Sequence, residues 1–99
     1  MLEHLVLIRW KEGVDRQSQD AVLRSLLALR DKIPGIVKYE LGHNVSERAQ
    51  GYHAAITSTF VDAAALAAYG PHPEHQRVSA KLRDLSDSIL VVDFAPLPA

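Results

Sequence analysis

The 99-residue chain has no cysteine, one tryptophan and one methionine. The missing thiols exclude disulfides, zinc–thiolate sites, iron–sulfur clusters and a cysteine nucleophile. An excess of one charge sign is missing too: twelve acidic and eleven basic residues leave a net charge of -1, and the basic residues form no run. Neither a nucleic-acid partner nor an anionic membrane surface is expected. The apolar runs are only a few residues long, so no helical span of a membrane is expected. No Gly-rich phosphate loop, nucleophile elbow, carboxylate pair or paired-histidine metal signature occurs. ATP, NAD, flavin and haem therefore have no support, and no cofactor and no metal are expected. The opening Met1-Leu2-Glu3-His4 shows no basic region followed by an apolar run, so a cytoplasmic location is expected.

What is present is ordinary for a globular protein: 47% hydrophobic and 23% charged residues. Residues 1–99 make one domain. A chain of this size buries roughly 65% of its unfolded surface, a core without much to spare.

His4-Leu5-Val6-Leu7-Ile8-Arg9-Trp10 reads as a strand ended by Gly13. Asp15 is the expected N-cap of a long helix, in which Val22, Leu26, Leu29 and Ile33 recur at helical spacing and Leu23 and Leu27 widen the stripe. Pro34-Gly35 stops it. Ile36 to Leu41 is a second strand with Val37, Tyr39 and Leu41 on one face, and Tyr52 to Phe60 a third. A short Ala-rich helix ends at Tyr69, where Gly70 is placed as a left-handed cap and Pro71 forbids continuation. Pro73 opens a helix to about Asp87, and Ile89 to Phe94 is the last strand.

The order β-α-β-β-α-β predicts an α+β, ferredoxin-like fold: a four-stranded antiparallel sheet, strand order 4-1-3-2, with the helices on one face. The first and last strands are apolar on both faces, with Val6 and Ile8 backed by Leu5 and Leu7, and Ile89 and Val91 backed by Leu90, Val92 and Phe94. An open sheet covered on one side alternates more cleanly. At about 25 cal/mol per Å2, leaving the second face in water forfeits several kcal/mol. A second copy related by a two-fold axis is the expected cover, giving a homodimer.

Tyr69-Gly70-Pro71-His72-Pro73-Glu74-His75 gathers a phenol and two imidazoles, the groups that move protons near neutral pH. With His4-Leu5-Val6-Leu7-Ile8, Trp10-Lys11, Ile33-Pro34-Gly35-Ile36, Gly42-His43-Asn44-Val45-Ser46, Gly51-Tyr52-His53 and Leu90-Val91-Val92-Asp93-Phe94, this stretch resembles the stress-responsive dimeric α/β-barrel (Dabb) family over nearly the whole chain. The resemblance implies a ferredoxin-like monomer that pairs with a second copy into an eight-stranded barrel. Many members of that family have no assigned activity, and some plant members look like cyclases of linear polyketides. Carried over by position, their acid–base pair is His75 and Tyr69, with His4 and His72 near the same pocket. Gly70-Pro71 and the aliphatic Val22 and Leu23 depart from the plant pattern, so the acid–base pair carries over and the substrate pocket does not.

His75 falls at the third position of its helix, where the helix dipole disfavours an imidazolium and so suits a general base. Tyr69 could donate a hydrogen bond to a developing enolate. The structural alternative has His75 bonded to a backbone carbonyl and Tyr69 packed at a helix end. His72 and His75 make an H-x-x-H, but Pro73 separates them and zinc would need a third ligand, so His72 is read as a capping or loop residue. His43 and His53 are read as strand-end polar residues and Trp10 as rim or interface packing. The expected ligand pocket lies between sheet and helices, with Val6 and Ile8 beside His4 and His72. Three functions follow: an uncharacterised stress-associated domain binding a small apolar or carbonyl ligand, a cofactor-independent cyclase-like enzyme using His75 and Tyr69, or a cofactor-free oxygenase. The sequence leaves the choice between binding and catalysis open.

Overall fold

The computed structural model of the chain describes residues 1–99. Its elements are β1 (Leu2–Trp10), α1 (Arg16–Leu27), β2 (Ile36–His43), β3 (Ala54–Phe60), α2 (Ala63–Tyr69), α3 (Pro73–Leu85) and β4 (Ser86–Phe94). A single 3-10 turn, Ala28–Asp31, extends α1. The strands form one antiparallel sheet in the order β2-β3-β1-β4, which is the expected order read from the other edge. No helix is long and apolar enough to cross a membrane.

Local chemistry sets the helix starts. The Asp15 carboxylate accepts from the Ser18 N–H at 2.8 Å, and Asp62 does the same for Ala65 at 2.8 Å. His72 caps α3, its Nδ1 accepting the Glu74 N–H at 3.1 Å, and Pro73 takes the first position, where no N–H is needed. Gly70 departs from the left-handed cap expected of it, with φ -54° and ψ -54°. Its carbonyl is instead bound by side chains of α3, His75 Nδ1 at 2.8 Å and Gln76 Nε2 at 2.9 Å.

Two strand boundaries also differ from expectation. Tyr52 belongs to the turn before β3, its N–H bonded to Ala49 O at 3.0 Å, because Gln50 and Gly51 both take positive φ. α3 ends at Leu85 rather than near Asp87, and β4 starts three residues early because Ser86 already pairs with Trp10.

The core lies between the sheet and the helices. β1 supplies Val6, Ile8 and Trp10, β2 Tyr39, and β3 Ala54, Ile56 and Phe60. Val22, Leu23 and Leu26 of α1, Leu29, Ile33, Tyr69, Val78 and Leu82 close over them. Trp10 is thus a core residue rather than a rim residue. Ser58, also on this face of β3, is buried and satisfied, its hydroxyl donating to His4 O at 3.1 Å. Val37 is half exposed instead of inward, because the β2 register slips between Ile36 and Lys38. Leu27 also faces out. His43 joins β2 to α1 through Asp20 at 2.6 Å, and His53 Nδ1 accepts the Trp10 N–H at 3.0 Å.

The face away from the helices carries Leu5, Leu7, Leu90, Val92 and Phe94, with Val92 46% and Phe94 45% exposed. Both faces of β4 are open, since β4 is an edge strand.

Gly35 has φ +89°, and a Cβ there would meet Ala65 Cβ at 2.6 Å, whereas Gly13 at φ +87° faces open space. Both Gly→Ala changes carry backbone strain of roughly 1 kcal/mol, and overlap with α2 adds about 1–3 kcal/mol at Gly35. Urea unfolding is expected to show Gly35→Ala clearly less stable than Gly13→Ala, and equal midpoints would refute this packing.

Candidate functional site

The junction of α2 and α3 turns Tyr69 and His75 toward the helix-facing side of β1 and β4. Between them lies a cavity of about 410 Å3. Its polar lining is His4, Tyr69, His75, Ser79 and Asp93, and its apolar lining includes Val6, Leu26, Ile56, Leu66, Leu82, Ile89 and Val91. Of the residues expected at a pocket, His4, Val6, Tyr69 and His75 come together here. Ile8 is fully buried below the sheet surface, and His72 is engaged as the α3 cap. Neither lines the cavity.

The hydrogen bonds fix what each group can do. A backbone carbonyl only accepts, so at 2.8 Å from Gly70 O the His75 Nδ1 carries the proton. In the neutral ring Nε2 is then bare, and no protein group pairs with it. Burial lowers the His75 pKa, the Gly70 bond opposes this, and the charges of His4, Arg83 and His72 lower it further. The main cause is desolvation rather than the helix dipole expected from the sequence. Carbonyl bond and bare Nε2 coexist, so the structural alternative and the base reading describe two sides of one ring.

Tyr69 packs at a tilt against His75 with ring centroids 4.3 Å apart and edge-on against His4 at 5.9 Å. Its hydroxyl lies 2.9 Å from that of Tyr39, and neither buried phenol has another partner. Either hydroxyl can donate in that pair, and with Tyr39 as the donor the Tyr69 proton is left free. Burial pushes both phenols up, so they stay protonated donors across the neutral range.

His4 pairs across the strands with Asp93, and His4 Nδ1 hydrogen-bonds the Asp93 carboxylate. Asp93 and Tyr39 are the members of this constellation that sequence reasoning passed over. Asp93 left a signal as the one charge in the apolar run Ile89 to Phe94, whereas Tyr39 looked like any inward strand residue. Trp10 does not line the cavity. No group of three His, Asp or Glu side chains is gathered as a metal-ligand set.

Residues 2–96 match the family described as Stress responsive A/B Barrel Domain. The chain belongs to that family. An uncharacterized Streptomyces coelicolor protein, SCO4036, is 33% identical over 92 residues, covering 91% of this chain and 95% of that protein. The crystal structure of At3g17210 from Arabidopsis thaliana superposes with a TM-score of 0.91 at 27% identity, covering 100% of this chain and 98% of that one. A dimeric ferredoxin-like protein of unknown function from Thermobifida fusca gives 0.86 at 25% identity, covering 96% and 90%. These relatives support a ferredoxin-like stress-responsive A/B barrel domain and carry no assigned reaction.

The depressed His75 pKa makes a stability prediction for this A/B barrel domain. Below the ordinary value of 6.5 the unfolded chain takes up a proton that the folded ring resists, so stability falls as pH drops from there to the folded value and levels below it. Urea midpoints from pH 7.5 to 4.5 are expected to fall more steeply for the wild type than for His75→Asn. Parallel curves would show that the folded ring takes up protons as freely as the unfolded one.

Proposed function

We propose that this A/B barrel domain is a homodimer whose cavity binds a small, largely apolar carbonyl compound. The observation that carries the reading is the bare His75 Nε2 of a ring packed against Tyr69 in a mostly apolar cavity. Such a pocket, apolar with a few convergent polar groups and a perturbed titratable residue, has the make-up of a ligand site. A cytoplasmic setting belongs to this reading, supported by the cysteine-free composition.

The same observation favours catalysis as a second reading. His75 Nε2 takes a proton from the carbon next to the carbonyl, the C–H bond breaks, and its electron pair moves into an enolate. Tyr69 donates to the enolate oxygen while Tyr39 donates to Tyr69. That carbon can attack a second carbonyl of the same molecule, closing a ring, and the imidazolium returns its proton to the new alkoxide. General-base catalysis of this kind is worth about 10^2 to 10^4-fold.

Acetophenone in D2O separates the two readings. Proton NMR is expected to show bound acetophenone exchanging its methyl protons faster with the wild type, and His75→Ala is expected to lose that acceleration while still binding. Binding without acceleration supports the ligand-binding reading alone, and no binding refutes both.

The dimer half of the proposal rests on the apolar outer face of β1 and β4 and on the dimeric Thermobifida fusca relative. An exposed apolar edge strand of nine residues is an association hazard unless covered. Light scattering is expected to give twice the chain mass at micromolar concentration, with Val92→Asp shifting the protein to monomer. A wild-type monomer would sink this half.

A further inference from the structure

α3 presents three polar side chains to one face at four-residue spacing: His75, Ser79 and Arg83. The first two line the cavity, and an Arg83 Nη1 donates to Ser79 Oγ at 2.8 Å. Arg9, Arg16, Arg30, Arg77, Lys32 and Lys38 each have a carboxylate partner; Lys11, Arg24, Arg48, Lys81 and Arg83 have none, and of these five only Arg83 is bonded to a cavity side chain. It is therefore an unneutralised cation fastened to a cavity side chain.

Place in the last turn of α3 suits any cation, because the helix dipole is negative there. That alone does not explain why the guanidinium folds back onto Ser79 rather than extending into water. By donating to the Ser79 oxygen, Arg83 also leaves the Ser79 proton to donate elsewhere. The cavity lining thus offers the Ser79 hydroxyl with a guanidinium bonded to it.

The cavity's one carboxylate lies at the other end. β4 follows α3 without a loop and runs back along it, so Ile89 lies toward the Arg83 end and Asp93, bonded to His4, toward the His75 end. The cavity has a carboxylate at its His75 end and, through Ser79, a guanidinium bonded to its lining. The guanidinium is held at Ser79, four residues and about 6 Å along the helix from His75.

We infer that the ligand is amphiphilic, with a carbonyl at His75 and Tyr69 and a terminal anion, carboxylate or phosphate, held by Arg83 and Ser79. This rests on the carbonyl-ligand reading above and names the missing half of that molecule.

NMR titration with a methyl-ketone fatty acid of about six carbons, matched against its primary amide and a phosphate monoester of the same length, tests it. At low salt the acid or the phosphate is expected to bind about tenfold tighter than the amide, a charge-assisted preference. The tighter anion identifies the chemistry. Arg83→Gln is expected to erase the preference and leave amide affinity unchanged, while Arg77→Gln, whose guanidinium is tied to Glu74, leaves it intact. Equal affinity for amide and both anions, or a preference that survives Arg83→Gln, overturns the inference and leaves the cavity reading standing. Binding by none of the three removes the cavity reading and this inference with it.

Discussion

The Gly70 carbonyl is the point on which the site depends. By accepting from His75 Nδ1 and Gln76 Nε2 it ties the end of α2 to the first turn of α3. The bond fixes the ring orientation, decides which nitrogen carries the proton and leaves the other one facing a mostly apolar cavity. Without it the imidazole would be free to flip, and the site would have no defined base.

Burial then acts on His75, Tyr69 and Tyr39 in the same sense. It keeps His75 neutral and the tyrosines protonated, because each charged form would lose its hydration. The outcome is a neutral acceptor beside a neutral donor, the pairing that proton abstraction next to a carbonyl requires. Tyr39 contributes from outside the cavity, its hydroxyl sharing a hydrogen bond with that of Tyr69.

Most of the fold was legible because its signals are local. Two-residue alternation marked the strands, four-residue recurrence marked α1, and Pro34-Gly35 and Gly70-Pro71 marked the breaks. The errors arose where a longer-range contact overrode a local preference. Gly70 has no need of a left-handed conformation once α3 side chains bind its carbonyl. Val37 loses its inward place to a register slip. Trp10 enters the core because α1 and α3 close over the end of β1. In the site, His75 and Tyr69 stood out through their types and their Pro-Gly setting. The role of Asp93 was hidden because its partner His4 is 89 residues away and meets it only through strand register.

The most direct test of the account is the protonation of His75, read from the nitrogen-15 shifts of its ring in the folded protein at pH 7. The account predicts a neutral ring with the proton on Nδ1 and a bare Nε2. A neutral ring protonated at Nε2, or an imidazolium at that pH, would contradict it and remove the base from the cavity.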